Sequence, residues 1–123
     1  FSYCDSGMIP WLLLAQNIAE SGLTLAELVD QRIDAYPCSG EINFSVQDTQ
    51  QVMDQVLQRY APLQPTVDRT DGISLEFETW RFNLRASNTE PVIRLNIETR
   101  HDDSLLEEKT SELSAFISSF SRA

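Results

Sequence analysis

Apolar residues recur along the chain with two periods, and the change between them divides it. Over Met8–Glu20 the apolar positions Ile9, Trp11, Leu12, Leu13, Leu14 and Ile18 run around most of a helical circumference. Pro10 suits the first turn of this helix, Gly22 lies just past its end, and Asp5 or Ser6 is placed to cap it. A helix apolar on so many sides needs covering on more than one of them. Thr24 and Glu27 form a capping-box pattern that opens a second helix reaching about Ile33, with Leu25, Leu28 and Val29 on one face. Tyr36-Pro37 closes it, and Pro37-Cys-Ser-Gly40 reads as a linker with a domain boundary near residue 38.

Beyond the linker the period drops to two. Glu41–Val46 alternates Ile42, Phe44 and Val46 with polar residues, a strand. Asp48, with Gln51 three positions on, caps a helix whose Val52, Met53, Val56, Leu57 and Tyr60 follow the 3.6 period; Pro62 and Pro65 end it. A short strand is expected at Thr66–Arg69, then a turn at Asp71-Gly72. Ile73, Leu75 and Phe77 mark the next strand, Thr79-Trp80 a turn, and Phe82, Leu84 and Ala86 another strand. After the polar loop Ser87–Glu90, Pro91 opens a last strand with Ile93, Leu95 and Ile97 on one face. The final helix begins at Asp102, with Ser104 and Glu107 as its capping box. Its apolar stripe is Leu105, Leu106, Leu113, Phe116, Ile117 and Phe120. The order after the boundary is β-α-β-β-β-β-α. It predicts an α+β domain: a small antiparallel sheet with two helices on one face and a polar face left open.

Composition narrows what this fold can do. The net charge of −10 repels nucleic acid and anionic membrane surfaces on average, so neither is an expected partner. Residues 81–100 are the exception: four arginines against Glu90 and Glu98 give this window +2, which leaves −12 for the rest. Cys4 and Cys38 form no CxxC and His101 is the only histidine, so a zinc site is not expected and both thiols read as reduced, the cytosolic pattern. Asp102-Asp103 reads as helix-capping rather than a metal pair, and Trp11 and Trp80 as packing residues. The apolar run Met8–Ala15 is far below the ~20 residues a membrane span needs. A start at Phe1 without Met suggests a fragment of a longer protein.

The candidate chemistry lies in the basic window. Arg85 and Arg94 flank the loop Ser87–Glu90, and the period-two count puts both opposite the apolar faces of their strands. If those strands form a hairpin, the two guanidinium groups converge. Ser87 and Thr89 add hydroxyl donors, and Asn88 tolerates the left-handed conformation that helps successive amides turn toward an anion. The same residues also read as an ordinary hairpin turn with surface arginines, and the carboxylate of Glu90 fits that alternative.

The run Arg85-Ala-Ser-Asn-Thr-Glu-Pro-Val-Ile-Arg94 closely resembles the phosphate-binding loop of the α-D-phosphohexomutase superfamily. Asp71–Phe77 and Arg81–Arg85 also look like that family, and Tyr3–Gly7 and Ser39–Asn43 resemble its bacterial phosphomannomutase branch. Asn88 stands where phosphoglucosamine mutases usually carry Gly, which favours the phosphomannomutase/phosphoglucomutase branch.

The resemblance implies residues 1–37 as the last helices of a third domain and 38–123 as a fourth, with a TATA-binding-protein-like sheet. It implies an intramolecular phosphotransferase, an isomerase, that interconverts hexose 6-phosphate and 1-phosphate through a hexose 1,6-bisphosphate. The phosphoserine and the Mg2+ site would lie in the other domains of a cytoplasmic enzyme. In this chain no catalytic or metal-binding residue is then expected. Arg85, Ser87, Asn88, Thr89 and Arg94 would grip the phosphate of a phosphohexose substrate, and the fragment alone would be inactive. The rival expectation is a non-enzymatic module whose open sheet face binds a protein partner.

Overall fold

The structure, a computed structural model, describes residues 7–87 and 89–121. It divides into two compact units, residues 1–34 and 35–123. The first holds α1 (Met8–Ser21) and the start of α2 (Leu25–Ala35). Gly22 ends α1 in the left-handed conformation, where its N–H reaches the carbonyl of Ile18. The expected caps Asp5 and Ser6, and Cys4, lie outside the described residues. Thr24 and Glu27 do form the capping box: Thr24 N–H donates to Glu27 Oε2 at 2.8 Å, and Glu27 N–H to Thr24 Oγ1 at 3.3 Å. Neither helix buries a residue; Trp11, expected as a packing residue, is 60% exposed.

The second unit carries β1 (Ile42–Ser45), α3 (Thr49–Tyr60), β2 (Thr66–Asp68), β3 (Ile73–Glu76), β4 (Trp80–Ala86), β5 (Val92–Thr99) and α4 (Asp103–Ser118). The strands form one antiparallel sheet in the order β1-β5-β4-β3-β2. β2 to β5 form a meander of neighbours, and β1 joins at the β5 edge. The inward residues of β3, β4 and β5 pack with Val52, Val56 and Tyr60 of α3 and Leu113 and Ile117 of α4 in one core. Helices that bury one side of a sheet leave its alternate residues on the opposite side.

Three details differ from the pattern reading: the place of Trp80, the Ser104 capping box and the linker. Trp80 opens β4 rather than ending a turn. Phe77 N–H donates to Trp80 O at 2.9 Å, which closes the hairpin one residue earlier. The Trp80 ring then stacks on Phe77, with centroids 4.3 Å apart, and meets Tyr60 edge-on. Asp102 caps α4 as the reading of Asp102-Asp103 expects, its Oδ1 accepting from Leu105 N–H at 2.8 Å, but Ser104 lies inside the first turn and is not the cap. Asp48 caps α3 as expected, accepting from Gln51 N–H at 2.9 Å.

The third difference is the linker. Residues 37–39 run along the end of β5: Thr99 N–H donates to Pro37 O at 3.0 Å, and Ser39 N–H to Ile97 O at 2.9 Å. Cys38 faces Glu98 while Ile42 faces Leu95, so four positions on one side match three on the other. Gly40, at φ +67°, absorbs the extra residue as a bulge. Cys38 itself is a free, exposed thiol.

The helices are tied together by Glu112 of α4. It accepts from Arg59 Nη2 and Tyr60 Oη of α3, and from Lys109 Nζ, each at 3.0 Å. Burial, with the Glu112 charge next, pushes the Tyr60 hydroxyl up to about 12, so it stays a donor. Burial alone would raise the Glu112 carboxyl, but Lys109, Arg59 and Tyr60 outweigh it and hold the pKa below its ordinary value. A depressed folded-state pKa stabilises the fold above the ordinary glutamate range and is lost as pH falls through the lowered value. Glu112→Gln should therefore cost up to about 1 kcal/mol at neutral pH, a deficit that narrows as pH falls below the ordinary glutamate range and closes below the lowered Glu112 pKa. Urea unfolding of both proteins across that range checks it; a deficit independent of pH would refute the ionic account.

Candidate phosphate site on the open sheet face

The polar residues of β3, β4 and β5 alternate with core residues, so they share the face that the helices leave open. Register places them in rows. Arg85 stands directly opposite Arg94, and Arg94 opposite Asn43; one row along, Asn96 faces Asn83, which faces Ser74; in the next, Glu98 faces Arg81, which faces Glu76. All of these except Asn43 and Glu76, together with Glu41 and Asp71, line a shallow pocket of about 310 Å³.

The convergence of Arg85 and Arg94 is thus realised. The hairpin between them is closed by Ser87 N–H donating to Val92 O at 2.8 Å. Ser87 and Thr89 sit in the turn, outside the pocket lining, with their hydroxyls 3.3 Å from each other. Thr89 N–H points at Ser87 Oγ, 3.4 Å away. Asn88 lies outside the described residues, and with it the expected left-handed turn.

The basic window is not a free positive patch. Arg81 binds Glu98 through two bonds, Nε to Oε2 at 2.9 Å and Nη2 to Oε1 at 3.1 Å. Arg100 pairs with Glu76 at 3.2 Å. Arg85 donates Nη2 to Glu41 Oε2 at 3.2 Å and Nη1 to Asp71 Oδ2 at 3.4 Å. The bond to Glu41, then the Asp71 charge, holds its guanidinium pKa above the usual arginine value. Arg94 has Glu41 Oε1 at 3.8 Å from its Nε, an ionic contact too long for a hydrogen bond. Four arginines therefore meet four carboxylates, and three of those come from outside the 81–100 window.

Two buried polar atoms on this face lack a partner: Arg94 Nε and Asn96 Oδ1. A buried donor without an acceptor is uncommon in folded proteins, and this one lies beside the paired Arg85. Asn83 is already engaged, its Nδ2 donating to Asp71 O at 2.9 Å and Ser74 Oγ at 3.0 Å. Sequence reading missed Glu41, Asp71 and the Asn96–Asn83–Ser74 row. The only signal for the row was its period-two spacing; for Glu41 it was the family resemblance of Ser39–Asn43, which assigned it no role.

Among the described residues no group of three or more His, Cys, Asp or Glu side chains could hold a metal ion. Nor is any described helix long and apolar enough to cross a membrane.

Residues 41–114 match the family described as phosphoglucomutase/phosphomannomutase, C-terminal domain. The chain is 55% identical over 114 residues to a protein named phosphohexose mutases from Xanthomonas campestris pv. campestris, covering 93% of this chain and 25% of that protein. It is 50% identical over 119 residues to a phosphomannomutase from Salmonella montevideo (97% and 26% covered) and 52% over 113 residues to one from Escherichia coli K12 (92% and 25%). The chain thus spans about a quarter of the length of these relatives. The sheet with its paired arginines, the matched span and these identities together make the chain a member of the phosphoglucomutase/phosphomannomutase family, carrying that family's C-terminal domain.

Proposed function

We propose that this chain holds the non-transferring phosphate of a phosphohexose, as part of an isomerase that interconverts hexose 6-phosphate and 1-phosphate. The observation that carries the reading is the in-register pair Arg85–Arg94, with the buried Nε of Arg94 lacking an acceptor. Each guanidinium offers a planar fork that suits phosphate oxygens, and charge-assisted bonds of this kind contribute about 1.5–3 kcal/mol each. Ser87, Asn88 and Thr89 would close on the phosphate from the turn. Residues 1–37 would then be the closing helices of the preceding domain and 38–123 the phosphate-gripping domain. The split between residues 34 and 35 supports such a division, as does the apolar surface that α1 leaves exposed. The phosphoserine, the Mg2+ it needs and the turnover of hexose 1,6-bisphosphate belong on this reading to other domains of a cytoplasmic enzyme. The open face is polar and crossed by ion pairs, which does not favour docking of a protein partner.

Titration of the 123-residue chain with glucose 6-phosphate, followed by amide NMR, tests this. Shifts should centre on residues 85–94, with no mutase turnover in the same sample. Shifts confined to α4, or none, would sink the reading, and turnover by the pure chain would overturn the assignment of the nucleophile elsewhere.

A further inference from the structure

Glu41 sits just ahead of β1, and its carboxylate spans the two arginines. Oε2 is 3.2 Å from Arg85 Nη2 and Oε1 is 3.8 Å from Arg94 Nε. One oxygen turned to each guanidinium is also how two phosphate oxygens would fill that gap. Arg85 and Arg94 are direct cross-strand neighbours, where like charges repel, so an anion between them relieves a real cost. Glu41 does this imperfectly, since Arg94 Nε stays without a hydrogen bond. A tetrahedral anion with oxygens on every side is better placed to satisfy both.

We propose that Glu41 is a built-in competitor for the anion site: it offsets one of the two charges of the Arg85–Arg94 pair when the face is empty, and an incoming phosphate must displace it from Arg85. The inference rests on the phosphate reading above and adds what sets the affinity. The consequence is a site whose positive charge is partly offset when empty, from which a bound phosphate exchanges readily. Asp71 holds the other edge of Arg85 at 3.4 Å but is 71% exposed, so water screens it and it competes less.

The test is titration of the native chain, Glu41→Gln, Asp71→Asn and Glu107→Gln with inorganic phosphate at low salt and neutral pH. Glu41→Gln should bind roughly two- to fivefold tighter, and Asp71→Asn should gain less. Glu107→Gln changes the net charge equally, on α4 across the sheet, and should leave affinity unchanged. Equal or weaker binding by Glu41→Gln, with native shifts still at residues 85–94, overturns the competitor role and leaves the phosphate reading standing. Equal tightening by Glu107→Gln overturns it too, because the effect would then be net charge. If neither the native chain nor Glu41→Gln binds phosphate, both readings fall together.

Discussion

On the proposed reading, Arg85→Ala should weaken glucose 6-phosphate binding at least about tenfold, because one charge-assisted fork is worth roughly 1.5–3 kcal/mol at such a site. The substitution removes the guanidinium that faces Arg94 and frees Glu41 and Asp71 from their shared partner. Two carboxylates left beside the gap then repel the ligand, so loss of attraction and gain of repulsion act in the same direction. Arg85→Lys should fall between: the charge stays, the planar fork goes. Stability should change little, since the Arg85 side chain is 40% exposed and its ion pairs are of the screened kind. NMR titration of the three proteins reads this out. An affinity unchanged in Arg85→Ala would mean that the arginine pair does not hold the phosphate.

Gly72→Ala should be the most damaging single-methyl change in the second unit. Gly72 sits at φ +70°, before β3, against the strand that carries Arg85. A Cβ built there overlaps the carbonyl oxygen of Leu84 and comes within 2.8 Å of both Cα and Cβ of Arg85. None of these is the movable end of a side chain, so β3 and β4 would have to part. Left-handed strain of about 1–3 kcal/mol adds to an overpacking cost of similar size. The expected loss is about 3 kcal/mol or more, a fall of over ~10 °C in the melting midpoint of a domain this small. Gly40→Ala is the matched control. Its φ is +67° but nothing lies within 4 Å of the added methyl, so it should lose only the strain of about 1 kcal/mol. Equal melting of the two variants would show that the contact with Arg85 carries no weight. Because the displaced atoms include the Cα and Cβ of Arg85, Gly72→Ala should on the proposed reading also weaken phosphate binding in whatever fraction remains folded.

Both predictions turn on the same geometry, in which β3 crowds the base of Arg85 while Glu41 reaches its tip. On the proposed reading the sheet grips a phosphate only if the arginines arrive together, and the β4–β5 register pairs them directly. Charge then has to be managed across strands: an unneutralised Arg85–Arg94 pair would strain the hairpin, and a fully neutralised one would not bind. Glu41, bonded to one arginine and only near the other, lies between these limits.

By itself the sequence determined everything whose physics is local. Strand faces follow from a two-residue alternation, so Ile93, Leu95 and Ile97 were legible as core and Arg94 as its opposite. The caps at Thr24 and Asp48 join groups three residues apart, which spacing reveals. The same locality made the arginine-flanked turn readable as a motif. Ser104–Glu107 misled because two adjacent patterns competed for one helix start, and the backbone turned at Asp102. Tertiary structure decided what pairs across the sheet. It converted the linker at residues 37–39 into partners of β5, placed Trp80 in a strand, and drew Glu41 over 44 positions and Asp71 over 14 to the same guanidinium. No count along the chain contains such distances, because they exist only once strand order brings the edges together. So the two arginines were written in the sequence, while the carboxylate that stands between them was set by the fold.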